Sequence, residues 1–409
     1  TPRRCGGRSR SRNVHQIPRV MQKKSLLDPG STIGIIGGGQ LGRMLAIAAR
    51  QMDYKTIVLD PDAGCPAGQV ADGQIVDDYA SRGAARDLAR VVDVVTYEFE
   101  NVDADSVSAA AELKPVHPST TVLRTAQHRL HEKNALLKAG IPVAPFRPVE
   151  SHEDLRDAAS DLGYPMVLKT STMGYDGKGQ IIITRAEDTK NAYELLGRNN
   201  AELIVEQFVP FTMEISAICA RTAAGEIATF PVSENIHRNH ILDTSIVPAR
   251  IPDDIADSAR QLAADIAGHL NVVGLIAVEM FVTKENEILV NELAPRPHNS
   301  GHYTMDGCDT SQFEQLVRVL AGMPITEPRL HAPTVMVNLL GEVWEDTGGY
   351  PDWARALEMP GVSLHLYGKA EPRTGRKMGH INVVADTIED SLYIATEARN
   401  RAWRRSPDL

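Results

Sequence analysis

From Thr32 the chain runs through five mostly β-branched residues to Ile36, stops at Gly37-Gly38-Gly39-Gln40-Leu41-Gly42, and continues as a helical stretch to Gln51 and a second β-rich run, Thr56 to Asp60. A strand, a glycine turn, a helix and a second strand in that order specify a βαβ unit. A further strand at Val92 to Thr96 and helices over Ser81 to Arg90 and Asp103 to Leu113 extend it into an open parallel sheet that ends near His128. The turn satisfies G-x-G-x-x-G, and Asp60 falls where a ribose-binding acid is expected, so a nicotinamide or flavin dinucleotide is one reading. The physics is broader than the motif. Glycines admit a ligand close to the backbone, and the helix N-terminus offers free N–H groups to any anion. A nucleotide monophosphate, or no ligand at all, fits the same residues.

At 409 residues the chain exceeds one ordinary core, and three domains are expected. Apolar residues at 43% and charged residues at 23% are usual for a globular enzyme, and no apolar run approaches the ~20 residues of a membrane span. A net charge of -10 argues against nucleic acid as the main partner while leaving room for a local basic pocket around one phosphate. Cys5, Cys65, Cys219 and Cys308 form no C-x-x-C pair, which points away from zinc and disulfides and towards a reducing cytoplasm. The first 24 residues carry eight Arg or Lys, no acid and no apolar segment of the secretory type. They are expected to lie outside the fold. With Met21 just before the first folded segment, they read as upstream sequence rather than an organelle transit peptide.

A helix from Gln127 to Ala139 leads into a second α/β region with strands at Met166 to Lys169, Gln180 to Thr184 and Leu203 to Phe208. Between the first two lies Lys169-Thr170-Ser171-Thr172-Met173-Gly174-Tyr175-Asp176-Gly177-Lys178-Gly179-Gln180. Three glycines in six residues between strands make a flap suited to closing over a triphosphate, although a mobile hairpin with surface lysines has the same composition. Lys169 ends an apolar strand where its ammonium can meet phosphate oxygens. The backbone of Glu206, Gln207, Phe208 and Val209 offers an edge to adenine. More strands (Glu214 to Ala220, Glu226 to Val232), a helix (Asp254 to His269) and the pair Ile276 to Val282 and Glu287 to Leu293 carry the chain to about Gly322. Ala332 to about Ala395 reads as a small β-rich appendage.

A two-residue turn at Glu285-Asn286, with Asn suited to positive φ, would pair Glu279 with Glu292. Two carboxylates about 4.5–5.5 Å apart at their β-carbons repel unless a cation or proton lies between them. Magnesium, or manganese, is the economical answer, with substrate phosphates completing the shell. A register shifted by one residue would turn one carboxylate to the other face.

In this order, Gly37 to Gly42, Gly174 to Gln180, Asn291-Glu292-Leu293-Ala294-Pro295-Arg296-Pro297-His298-Asn299-Ser300-Gly301-His302, and Tyr367-Gly368-Lys369 with Arg373 to His380 resemble the ATP-grasp superfamily. Within it they resemble the N5-carboxyaminoimidazole ribonucleotide synthetases. The resemblance implies an α/β fold: a Rossmann-like N-terminal domain (31–128, after a leader 1–30), a two-part ATP-grasp region (129–330, flap about 140–208) and a small β-rich C-terminal domain (331–400). It also implies a homodimer, and ATP, bicarbonate and 5-aminoimidazole ribonucleotide as substrates for a ligase of purine biosynthesis whose product passes to a mutase. Arg129, Lys169, Gly174 to Gln180, Glu206 to Val209, Glu214, His237, Asn291 and Glu292 would then contact ATP, and Glu279 with Glu292 would hold magnesium. Gln40, Leu41, Glu98, Asn299, Lys369 and Arg376 would meet the ribonucleotide, while Lys169, Tyr175, Asp176, Gln180 and Arg296 would surround the chemistry. Met173 departs from the family pattern, where a glycine is expected. His298 and His302 are expected to form hydrogen bonds rather than a metal pair. The rival readings are another ATP-grasp ligase using formate or resembling biotin carboxylase, a nicotinamide-dependent oxidoreductase, and a nucleotide-binding regulator without turnover.

Overall fold

The computed structural model describes residue 1 and residues 26–172, 174, 179–197 and 201–403. Its first layer is a four-stranded parallel sheet in the order Gly73–Ile75, Lys55–Leu59, Thr32–Ile36, Val94–Tyr97. Ile33, Ile35 and Ile36 are fully buried, as expected for a parallel sheet covered on both faces. Helix Gln40–Gln51 follows the glycine turn, and Ser81 and Asp103 cap helices Arg82–Val91 and Ala104–Ala111 through the N–H groups of Ala84 and Ser106. Strand order reverses between Thr32–Ile36 and Val94–Tyr97, so the glycine turn and Glu98 meet at the switch point where such sheets bind ligands.

The flap region is a four-stranded sheet ordered Phe146–Val149, Leu203–Gln207, Met166–Thr170, Gln180–Ile183. Leu155 of helix His152–Leu162 shares one buried core with Leu168, Ile183 and Val205, and Ser151 with Asp154 closes a capping box at the start of that helix. Leu203–Gln207 ends one residue earlier than the sequence suggests: Gln207 N–H donates to Pro145 O (2.8 Å) and Phe208 N–H to Pro165 O (3.2 Å), and neither proline has an N–H to return, so the ladders stop there.

The remaining strands build one large sheet ordered Ile288–Ala294, Gly274–Thr283, Phe211–Arg221, Ser233–Arg238, Ile241–Val247, Thr334–Leu340, Lys377–Val384, Val362–Leu366, with Ile227–Thr229 also on Phe211–Arg221. The expected strand Glu226 to Val232 is thus cut short before Pro231, and the hairpin joining Ser233–Arg238 to Ile241–Val247 is an addition to the sequence reading. Its turn, Asn239-His240, has φ of 50° and 65°, the backbone of a tight two-residue hairpin. The tail is β-rich as expected, but it is not set apart. Thr334–Leu340 pairs directly with Ile241–Val247, and helix Ile388–Trp403 closes over the same core.

The carboxylate hairpin also corrects its expected turn. Thr283 N–H donates to Glu287 O (2.9 Å) and Asn286 N–H to Thr283 O (3.0 Å), enclosing a three-residue loop, Lys284 to Asn286, with Asn286 at φ 63°. The register near the turn is therefore one residue off the expected one: Met280 faces Val290. A bulge at Asn291 restores it, and Glu279 faces Glu292.

Candidate active site

A cleft of about 1150 Å³ opens where the three sheets meet. Glu279 and Glu292 stand on its floor, on neighbouring strands. Burial first, and then the Glu292 carboxylate, push the Glu279 carboxyl well above the usual range, which is what an uncompensated pair of acids does. Their protein partners are a histidine and an arginine: His298 Nε2 lies 3.2 Å from Glu279, and Arg129 Nη1 3.3 Å from Glu292. Burial and the nearby Arg296 keep the His298 ring neutral by driving its pKa down. Among the described residues no group of three or more His, Cys, Asp or Glu converges as a ready-made metal cage. Two facing carboxylates are the kind of hard oxygen donors that suit magnesium, which keeps few protein ligands.

One wall carries a buried cation cluster. Lys169 Nζ donates to Glu206 at 2.9 Å, and Lys133 Nζ lies 3.4 Å from the same oxygen. Burial opposes the charge on Glu206, yet Lys133 and Lys169 outweigh it and hold its carboxyl at about 2. Arg129 Nη2 donates to Gly174 O (3.2 Å), linking this wall to the flap. Glu214 and His237 pair at 2.7 Å on the opposite side.

The third face is the glycine turn. The N–H groups of Gly39 and Gly42 donate to Glu98, the latter at 2.7 Å, and Gly38 N–H donates to Asp60 at 2.7 Å. A β-carbon on Gly39 would stand 2.5 Å from Glu98, so glycine here makes room for the protein's own acid. The expected ribose acid, Asp60, is instead sealed inward and also accepts from the Tyr79 hydroxyl. The donors that would cradle a dinucleotide pyrophosphate are occupied, which counts against the oxidoreductase reading. Arg296 reaches across and pairs with Glu100 just after the parallel sheet. Among the described residues, both amide atoms of Asn299, Ser171 Oγ, Arg129 Nε and Glu206 Oε1 are buried without a protein partner around this cleft, a demand that a polar ligand would meet.

Three family models cover the chain in sequence: a ribonucleotide synthetase preATP-grasp domain at 31–127, an ATP-grasp domain at 134–313 and a phosphoribosylaminoimidazole carboxylase C-terminal domain at 334–393. The chain is 47% identical over 373 residues to the N5-carboxyaminoimidazole ribonucleotide synthase of Bacillus subtilis (strain 168), covering 91% of this chain and 96% of the relative. It belongs to the N5-carboxyaminoimidazole ribonucleotide synthase family. The Brucella melitensis synthase is 46% identical, with 88% and 97% covered. An ADP complex of an N5-carboxyaminoimidazole ribonucleotide synthetase superposes with a TM-score of 0.87 at 47% identity, covering 93% of this chain and all of that one (100%). The Aspergillus clavatus synthase in complex with ADP and 5-aminoimidazole ribonucleotide gives 0.83 at 33% identity, covering 91% and 99%.

Of the residues expected at the site, Gln40, Leu41, Glu98, Arg129, Lys169, Gly174, Gln180, Glu214, His237, Glu279, Asn291, Glu292, Arg296 and Asn299 line the cleft. Glu206 lies behind Lys169 rather than in the lining. The expected adenine edge is partly spoken for: Gln207 N–H donates to Pro145 O (2.8 Å), Phe208 N–H to Pro165 O, and Val209 O accepts from Phe211 N–H (2.9 Å). Gly179, at φ 76°, turns the flap back onto Thr170. Lys369 donates to the carbonyl of Lys377 (2.7 Å), a cleft residue, while Arg376 is bonded to Glu371 O (2.6 Å). Tyr175, Asp176, Gly177 and Lys178, like Met173, lie outside the described residues. His298 and His302 do not converge as a metal pair among the described residues: His298 Nδ1 shares a hydrogen bond with Ser300 (2.8 Å) while its Nε2 lies near Glu279, and His302 stacks on His380 at 4.5 Å. Glu132, Lys133, Glu100 and Lys377 were not anticipated. Each reads as an ordinary surface charge in a single sequence, and only burial by distant segments distinguishes it.

Proposed function

We propose that this chain takes its carbon from bicarbonate and uses the cleft residues named above to carry it to the amine of the ribonucleotide. The chain is an ATP-dependent ligase, and its family converts 5-aminoimidazole ribonucleotide to N5-carboxyaminoimidazole ribonucleotide in purine biosynthesis. The observation that carries the reading is Glu279 facing Glu292 across the strands, beside the Lys169 cluster and within one cleft of Glu98.

Bicarbonate is a poor electrophile. Its oxygen attacks the γ-phosphorus of ATP, giving carboxyphosphate and ADP, while Lys169 and Arg129 offset charge on the phosphates. Glu279 and Glu292 would hold a magnesium or manganese ion, which supplies charge neutralisation for the triphosphate when bound. Carboxyphosphate then releases phosphate and carbon dioxide beside the exocyclic amine, which forms the new C–N bond and loses a proton. Arg296 suits a planar carboxyl group through paired N–H donors, and Tyr175, Asp176 and Gln180 would join it around the reacting groups. Gln40, Leu41, Glu98 and Asn299 would meet the ribonucleotide, and Lys369 with Arg376 its phosphate. Glu206 to Val209, Glu214, His237 and Asn291 would complete the ATP site, and the divisions near residues 128 and 330 would separate its working parts. We place the enzyme in the cytoplasm as a homodimer that passes its product to a mutase. Among the described residues no helix is long and apolar enough to cross a membrane.

An ADP-release assay with bicarbonate and the ribonucleotide omitted in turn tests this. Release is expected only when both are present. Equal release with formate in place of bicarbonate would move the chain to a different ATP-grasp ligase.

A further inference from the structure

Strand Ile288–Ala294 is an edge strand, paired to Gly274–Thr283 on one side only. Three of its outer backbone groups are nevertheless bonded, one through an isolated bridge of Val143 with Val290 and two to side chains. Val290 N–H donates to Pro142 O (2.8 Å), Lys133 Nζ donates to Asn291 O (3.1 Å), and Leu293 N–H donates to Glu132 Oε2 (3.0 Å). Glu292 lies between two of these bonds. Both side chains come from helix Arg129–Lys138, the helix that also directs Arg129 at the Glu292 carboxylate. Positions 129, 132 and 133 share one helical face by their i, i+3, i+4 spacing, so one rigid turn delivers all three groups. Glu132 and Lys133 are 2% and 1% exposed, an arrangement for two charged residues that has to be compensated by what they bond.

The bulge at Asn291 is what turns Glu292 to face Glu279; without it the strand would continue in the register of Met280 opposite Val290. Edge-strand bulges have no second strand to fix them. We propose that Glu132 and Lys133 are positioning residues that pin this bulge from outside the sheet and thereby set the affinity of the Glu279–Glu292 pair for a divalent cation. This rests on the reading of that pair as the metal-holding carboxylates. Residues that orient a metal's ligands commonly change its affinity about 10–100-fold when removed.

Manganese binding to the full chain in the presence of ADP, followed by the electron paramagnetic resonance signal of the free ion, reads this affinity without turnover. Glu132→Leu and Lys133→Met are each expected to raise the manganese Kd about tenfold or more. Glu132→Gln keeps an oxygen for Leu293 N–H and Lys133→Gln keeps a donor for Asn291 O, so both are expected within about threefold of the parent. If Glu132→Leu does not fold, Glu132→Asp, one methylene short of Leu293, takes its place with an intermediate loss expected. Glu292→Gln is the reference arm: unchanged manganese binding there overturns the carboxylate reading itself. Weakened binding in Glu292→Gln with parental binding in Glu132→Leu and Lys133→Met overturns the positioning role alone. So does Glu132→Gln losing as much as Glu132→Leu, because charge rather than strand geometry would then be what matters.

Discussion

Lys369 is held between opposing influences. Burial first, and then Arg376, push its ammonium down to about 8, while Glu98 works the other way. A lysine that holds a phosphate must be charged, and its charge is lost as pH rises through that value. Catalytic efficiency for the ribonucleotide is therefore expected to fall as pH passes about 8, and Lys369→Arg, which stays charged, should flatten that limb of the profile. A profile unchanged by the substitution would remove Lys369 from the phosphate site. At Glu292 the expectation concerns catalysis rather than stability. Its side chain is 43% exposed, so Glu292→Gln should leave the fold intact while ADP formation falls by about 100-fold or more. Parental turnover in that variant would exclude Glu292 from the metal site. Both residues are conspicuous in the sequence. The buried Glu132 and Lys133 that bond the backbone on either side of Glu292 are not, because a lone charged residue carries no sign of what will fold over it.

At the level of elements, the carboxylate hairpin shows how a correct pairing can follow from an incorrect turn. The Asn in the positive-φ position is as expected, but the loop holds three residues rather than two, and the Asn291 bulge compensates the resulting shift. Turn chemistry is local and legible. A bulge depends on what lies along the strand's outer edge, here a helix some 150 positions earlier in the chain, as the separation of 158 between Lys133 and Asn291 shows. Asn286→Val is expected to destabilise the protein by about 1–2 kcal/mol in urea denaturation, since a β-branched residue resists the left-handed backbone, whereas Asn286→Gly should be neutral within about 0.5 kcal/mol. An equal loss from both would mean that the Asn286 side chain, not its φ, is what the turn requires. The glycine turn is the second case. Its strand–turn–helix form was readable, yet its ligand-like donors are satisfied by Glu98 and Asp60, which arrive from other strands.

For the whole molecule, the large sheet joins the grasp region to the tail through the pairing of Ile241–Val247 with Thr334–Leu340. Ile381 is fully buried between Val337 and Leu364 in neighbouring strands of that tail. Ile381→Ala is expected to cost about 2–5 kcal/mol. Because the sheet is continuous, calorimetry should show the grasp and tail regions melting together at a lower temperature. A separate early transition for the tail would mean that it folds as an independent unit. The βαβ opening, the glycine turn, the flap glycines and the two acids on one hairpin were determined by sequence, since periodicity, backbone freedom and motif spacing are local properties. Tertiary structure alone decided that the tail extends the central sheet, that Asp60 turns inward, and that Glu132 and Lys133 brace Glu292. Those outcomes depend on burial and on hydrogen bonds between segments far apart in the chain, which no local pattern encodes.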